Sequence, residues 1–338
     1  MPLITKKNIL LTGAGFSANF GGLLSREMWS KILSNPKMDQ LPQIREILRK
    51  DFDFESVYSN VKKNVSISKD DKNLFQKIVF ESYSSMDDAL KNYRIGGFPK
   101  SGFYIGNVTK LLGEFSGLGG EVGAHFTLNQ DLLVERETQI IPLGLSTPQN
   151  STYRNDINSK QIDFTKQVVL PDDQSLEEFK SKYLPSNGSY CYIKLHGSLG
   201  WLSHYGHQQL ILGTNKIEDI KKEPLLNWYF DIFKDALSQN GVKLFVLGYS
   251  FRDEHVNEII IDAIEKNHIQ IYIISPEDPE GFKDRMEGKI LYGSYEIKNT
   301  IKIWNAVDGY FPYRLSEIFP SNQMDTAVAQ DIKKAMNK

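Results

Sequence analysis

The sequence predicts an α/β protein built on a doubly wound, mostly parallel sheet. Three observations predict it. A short apolar run, Leu10-Leu11-Thr12, empties into the small-residue loop Gly13-Ala14-Gly15 and then into Phe16-Ser17-Ala18. Short apolar segments bounded by turn residues recur along the chain. Stretches with apolar residues at helical spacing separate several of them, the alternation expected of a parallel sheet with both faces covered.

The first strand is expected over Asn8 to Thr12, followed by a helix over Arg26 to Leu33 and, behind Asn35-Pro36, more helix. No convincing strand occurs between Asp51 and Gly123. Lys72 to Tyr93 and Phe103 to Leu112 are instead periodic, with a break at Gly96-Gly97-Phe98-Pro99 between them, so residues 51–123 are expected to form an inserted helical subdomain. The second core strand is expected over Ala124 to Leu128. A second insertion, residues 135–187, is polar and punctuated by Pro142, Pro148, Pro171 and Pro185. Further strands follow at Tyr190 to Leu195, Val242 to Leu247, Ile269 to Ile274 and Ile301 to Trp304, with helices at Leu225 to Leu237 and His255 to Lys266. The core is thus expected to comprise residues 1–50 and 124–312, and a helical tail residues 313–338.

At 338 residues and 40% hydrophobic content the chain is long enough to bury a substantial core. Its net charge of −2 creates no overall field for nucleic acid or a membrane surface. The single cysteine, Cys191, excludes an intramolecular disulfide and a four-cysteine zinc site; it reads as a buried thiol in a strand and fits a reducing cytosol. Met1 to Leu11 is too short for a signal peptide, and no apolar run approaches the length of a membrane span. A cytoplasmic protein is expected, with no direct membrane association and no direct nucleic-acid binding.

An apolar strand that opens into glycines and then a helix brings backbone N–H groups toward a diphosphate. Gly13-x-Gly15-x-x-Ala18 meets the dinucleotide fingerprint, but the second strand ending in an acidic residue, which dehydrogenases place about 20 residues on, is missing. A helical pattern stands there instead, which disfavours hydride transfer. Four further signals fall at predicted strand ends, where open parallel sheets hold ligands. They are Thr127-Leu128-Asn129-Gln130-Asp131, His196-Gly197-Ser198, Gly248-Tyr249-Ser250 and Ser275-Pro276.

The order Gly-Ala-Gly-x-Ser, Thr-x-Asn-x-Asp, His-Gly and Gly-x-Ser resembles the sirtuin family of NAD-consuming enzymes. The resemblance implies a Rossmann-like core that takes NAD as substrate. Counting on from Gly13 places Arg26 where the family keeps an arginine near the phosphates and nicotinamide ribose, although Leu23-Leu24-Ser25 replaces the family's proline, aspartate and phenylalanine. The zinc ribbon of deacylating sirtuins needs two Cys-x-x-Cys pairs, which one cysteine does not supply. What remains resembles the sirtuin-like branch of bacterial antiviral defence, whose members hydrolyse NAD and deplete the cell of it, and the resemblance implies that activity here. The resemblance implies no metal.

Cleaving the nicotinamide–ribose bond releases a neutral leaving group, so no acid is required, in contrast to ordinary glycosidases. The site must hold the ribose, exclude water and orient one nucleophile. Asn129 is expected to position the attacking water or the ribose hydroxyls, since an amide both donates and accepts without adding charge. His196 is expected to act as general base. His125, His204, His207, His255 and His268 lack its context, and His204-x-x-His207 reads as a hairpin rather than a metal pair. Gly13, Ala14, Gly15, Ser17, Arg26, Thr127, Asp131, Gly248, Ser250 and Ser275 are the expected cofactor contacts. Asp131 suits either a helix cap or a ribose contact, and Thr127 either packing or binding. Phe16, Trp29 and Trp201 read as core.

Two other readings share these residues: protein deacylation or ADP-ribosyl transfer, and a sensor that binds NAD or ADP-ribose without catalysis. A chain that destroyed NAD unchecked would kill its host. A homo-oligomer is therefore expected, with a regulatory partner such as a HerA-type ATPase or another phage-sensing protein.

Overall fold

The computed structural model describes residues 5–91, 105–116, 122–138, 140–145, 168–182, 190–203, 205, 208–214, 216–289, 300–320 and 325–337. Strands β1 (Thr5–Thr12), β2 (Val122–Thr127), β3 (Val168–Val169), β4 (Tyr190–Lys194), β5 (Gly197–Leu202), β6 (Gln208–Leu210), β7 (Lys243–Leu247), β8 (Gln270–Ile274) and β9 (Val307–Phe311) fall into two sheets. The larger has six strands in the order β4-β2-β1-β7-β8-β9, every neighbouring pair parallel. The chain reverses direction across the sheet at β1, flanked by β2 and β7, which makes the end of β1 the switch point where such sheets hold ligands.

The strands read as continuous apolar runs because both faces are covered. Ile9 and Leu11 of β1 join Phe126, Ile193, Val246 and Ile273 in one core. Against it lie two helices whose Tyr229, Phe233, Val256 and Ile260 repeat at helical spacing. Leu10 points the other way, with Phe245, Leu247, Tyr272 and Ile274, toward Phe115, Leu315 and Ile332. Alternate residues of one strand thus feed different cores.

The helices are α1 (Ala14–Ala18), α2 (Ser25–Leu33), α3 (Pro42–Lys50), α4 (Phe54–Lys63), α5 (Lys69–Lys91), α6 (Ile105–Glu114), α7 (Leu133–Thr138), α8 (Asp173–Lys182), α9 (Lys216–Lys221), α10 (Pro224–Leu237), α11 (Glu254–Asn267), α12 (Pro279–Met286), α13 (Ile301–Trp304), α14 (Leu315–Ile318) and α15 (Ala327–Asn337). A third apolar cluster, from Met28, Ile44, Leu48, Val57, Val61, Phe75 and Ile78, packs α2 to α5 on one another. Of the 135–187 stretch, α8 and β3 are described, and β3 pairs with β5 of the small sheet. Pro148, Pro185 and the Gly96–Pro99 break lie outside the described residues.

One strand expectation is overturned. Ile301 to Trp304 is a single helical turn, and the edge strand follows it at Val307–Phe311. Ile301 and Ile303 mimic strand alternation. In the fold only Ile303 is buried, Trp304 lies against Phe282 and Tyr310, and Thr300 anchors the turn by donating its hydroxyl to the Met286 carbonyl at 2.6 Å. The true strand has one neighbour, β8, so its half-exposed Val-Asp-Gly-Tyr-Phe carries no continuous apolar signal.

The last helix closes the opposite end of the sheet. Asn8 donates its side-chain amide to the Met336 carbonyl at 3.0 Å, and Lys243 places its ammonium 3.0 Å from the Ala335 carbonyl. Both satisfy carbonyls that the end of α15 leaves open. Among the described residues, no helix is long and apolar enough to cross a membrane.

Candidate active site

The loop after β1 is held backbone to backbone against the loop after β7. The Gly13 amide donates to the Leu247 carbonyl at 3.1 Å and the Gly15 amide to the Gly248 carbonyl at 2.8 Å. A Cβ on Gly15 would lie 2.8 Å from the Gly248 Cα, and one on Gly248, whose φ is +68°, would lie 2.3 Å from the Phe16 nitrogen. The glycines are thus required by the contact between two strand ends. The amides of Gly13 and Gly15 are thus bonded inside the protein, and what these two positions offer a nucleotide is close approach of the backbone. Ala14, exposed, opens α1.

Three expected site residues form one hydrogen-bonded chain. The Ser17 hydroxyl, 3% exposed, donates to Asp131 Oδ2 at 2.7 Å and accepts from Asn129 Nδ2 at 2.9 Å. Asn129 is half-buried while Gln130 and Asp131 are buried, so its amide is the polar group of this turn nearest solvent. With its NH2 on Ser17, the amide keeps its carbonyl oxygen to accept from a water or hydroxyl. Asp131 does the capping work: Oδ1 accepts from the Leu133 amide at 3.1 Å, at the start of α7. Burial raises its carboxyl, opposed by Lys194 and the Ser17 hydrogen bond. Thr127 is buried; its hydroxyl accepts from Thr12 at 2.8 Å and from the Asn129 backbone N–H at 3.1 Å, so it shapes the turn from beneath.

The turn is braced from behind. Asp87 of α5 accepts from the Leu132 amide at 2.9 Å and from Arg136 at 2.9 Å. Lys194 and Glu135, both wholly buried, pair at 2.8 Å, and the same ammonium donates to the Asp131 carbonyl.

His196 stands two residues past Lys194, as Asn129 stands two past its registered partner Thr127. Its side chain joins a different group from the Ser17 chain. His196 Nε2 lies 2.9 Å from His255 Nε2. Lys216 reaches Asp253 at 2.6 Å and Glu55 of α4 at 2.7 Å, while Arg252 reaches Asp53 at 3.1 Å. The helices after β1 are therefore clamped to the end of β7 beside the imidazole pair. Burial, then Lys216, holds His196 well below its ordinary pKa, and burial takes His255 down to about 4 against the pull of Asp253. Burial also pushes against the Asp253 charge, but Lys216, His196 and His255 together hold its carboxyl far below the usual range. His196, Asp253 and His255 bring their donor atoms within 4.8 Å of one another, a spacing that could accept a metal ion; Lys216 already occupies the carboxylate.

The loop carrying these residues is bent hard. Phe251 is buried at φ +56°, and Asn257 holds it by donating to the Phe251 carbonyl at 2.7 Å. Strained backbone of this kind costs on the order of 1–3 kcal/mol and concentrates at functional sites.

Other expected contacts are more scattered. Arg26 is exposed on α2. The Ser250 carbonyl accepts from Arg285 at 2.6 Å, and the Ser275 hydroxyl accepts from the Glu277 amide at 3.3 Å. Phe16 and Trp201 are core residues, Trp29 is half-buried, and Cys191 is buried in β4. His204 and His207 lie outside the described residues. His255, set aside for lack of context, is the residue that sequence reasoning missed. Its signal was the Asp253-x-His255 step that follows Gly248-x-Ser250 after two residues, past a strand end.

His125 gives a pH prediction. It is fully buried in β2, bonded to the Thr12 hydroxyl at 2.9 Å, and burial followed by Lys194 lowers its pKa to about 3. The unfolded chain takes up this proton near its ordinary pKa while the folded chain refuses it. The stability it contributes is therefore complete above about pH 6.5 and is lost as pH falls toward 3. Between pH 7 and 5 the loss is about 2 kcal/mol. His125→Gln is expected to lose that much less than the parent over this interval in urea denaturation; parallel curves would reject the assignment.

The family model describing a SIR2-like domain matches residues 125–298, just over half of the chain. The matched stretch contains Asn129, Asp131, His196, Gly248, Ser250, His255 and Ser275, and begins after the Gly13–Ser17 loop. A search among curated proteins finds no match. The order of the parallel sheet and the matched stretch agree, and the chain belongs to the SIR2-like family, whose domains use NAD as substrate.

Proposed function

We propose that this protein is an NAD glycohydrolase that cleaves the nicotinamide–ribose bond to give nicotinamide and ADP-ribose, linear or cyclic. The observation that carries this reading is the half-buried Asn129 amide, fixed by Ser17 and Asp131 at the switch point of the sheet, one strand from His196. An amide anchored through its NH2 on Ser17 orients a water or a ribose hydroxyl by accepting from it. His196, kept neutral by burial, is in the form that takes a proton. The pyridine leaves uncharged, so no carboxylic acid has to protonate it.

On this reading the cell is starved of NAD during phage infection, and an oligomer or a partner such as a HerA-type ATPase restrains the activity until then. Purified protein with NAD, followed by chromatography, is expected to release nicotinamide without any acylated peptide. Asn129→Ala is expected to lower that release roughly 10²–10⁴-fold, the range of a positioned catalytic group. The same comparison of cellular NAD after phage challenge covers a chain that a partner must switch on. NAD loss persisting in Asn129→Ala would reject the assignment. Nicotinamide formed only when peptide is supplied would instead identify a deacylase.

A further inference from the structure

Two imidazoles meeting nitrogen to nitrogen share one proton. His196 Nε2 and His255 Nε2 are 2.9 Å apart while the ring centroids are 5.1 Å apart, so each ring stands nearly end-on behind its nitrogen. That is the geometry of an N–H···N bond rather than of two lone pairs converging on a third atom. One ring carries the hydrogen on Nε2, and the other accepts it. His196 is buried, whereas His255 retains solvent contact in the first turn of α11, which makes His255 the better-hydrated site for a proton. Phe230 lies tilted against the His255 ring, with centroids 5.4 Å apart. The charged groups around the pair are Asp253, Lys216 and Glu55.

We propose that His255 is the positioning residue for His196, accepting its Nε2 hydrogen so that Nδ1 of His196 is the basic nitrogen of the site. This rests on the NAD-cleavage reading for its consequence, though not for its geometry. As the nucleophile's O–H gives its proton to His196 Nδ1, the hydrogen on His196 Nε2 passes to His255 Nε2. One N–H bond forms on His196 as another breaks, no electrons change hands, and the positive charge comes to rest on His255 beside the Asp253 carboxylate. The held backbone at Phe251 and the Asn257 hydrogen bond to it fix where that acceptor stands. The shared hydrogen thus joins two histidines 59 positions apart in the sequence.

The test combines a spectrum with kinetics on the full chain. Long-range ¹H–¹⁵N correlation in histidine-labelled protein, assigned with His196→Gln and His255→Gln, is expected to show His196 as the Nε2–H tautomer and His255 with an unprotonated Nε2. His255→Ala is expected to lower kcat for nicotinamide release roughly ten- to hundred-fold, part of the range of a general base, with KM for NAD within about twofold. His255→Asn, which restores an acceptor, is expected to recover part of that loss. Circular dichroism of both variants separates this from misfolding, and the Asn variant carries the kinetic test if the Ala variant is unfolded. The reverse tautomers, an unchanged kcat, a change confined to KM, or stoichiometric zinc retained through both histidines would each overturn the proposal. A parent protein that releases no nicotinamide in vitro and leaves cellular NAD intact after phage challenge would fell the NAD-cleavage reading, while the tautomers still decide the role of His255.

Discussion

Gly248→Ala is expected to be among the most damaging single-methyl changes in the molecule. The residue sits at φ +68°, and the added carbon would press on the Phe16 nitrogen at 2.3 Å and the Gly15 carbonyl carbon at 2.5 Å. A left-handed conformation costs an L-residue about 1–2 kcal/mol and overpacking a further 1–3, so a loss of roughly 2–5 kcal/mol follows. The damage is also directed. To relieve the clash, the loop after β1 must move off the end of β7, which breaks the Gly15 to Gly248 hydrogen bond and shifts Ser17, and Ser17 holds the Asn129 amide. Gly288→Ala is the control, since φ is +75° there and nothing stands within reach of the new carbon. Urea denaturation is expected to separate the two by the overpacking contribution, with NAD binding lost only in Gly248→Ala. Equal effects would mean that the strand ends are not in contact as described.

Lys194→Met is expected to cost about 3–5 kcal/mol, because it leaves the Glu135 carboxylate buried without its counter-ion. Tyr192 still donates to Glu135 at 3.1 Å, but burial already raises that carboxyl and Lys194 is the main force opposing it. The double variant Lys194→Met with Glu135→Leu is expected to recover most of the stability, since an apolar pair of similar volume removes both desolvation penalties. It is not expected to recover all of it, because the Asp131 carbonyl also accepts from Lys194. A single variant within about 1 kcal/mol of the parent in thermal or urea melts would show that water reaches this pair.

Five of the six strands of the large sheet were legible because each is buried on both faces. Leu10 and Leu11 face different cores yet both must be apolar, so the pattern survives without knowledge of partners. The edge strand was not legible for the converse reason: Val307 to Phe311 is half open to solvent, while the turn before it carries the isoleucines. In the site, Ser17, Asn129 and Asp131 stood out individually by their position at strand ends. Their linkage through one hydroxyl did not, since Ser17 and Asn129 lie 112 positions apart. The same holds for His255, whose importance lies in facing His196 across the sheet. The glycines stood out by local pattern, but the strand-end contact that requires them did not. Local pattern marks where a backbone must come close to something, and only the fold shows that the something is another backbone.

The contact between Asn8 and Met336 spans 328 residues. During synthesis β1 leaves the ribosome first among the described elements, yet its amide finds that acceptor only after nearly every other element has been translated. Lys243, which shares the Met336 carbonyl at 3.3 Å, waits for the same helix. Closure of that rim of the sheet thus waits for α15, and nascent chains stalled before Ala327 should remain open to proteolysis there.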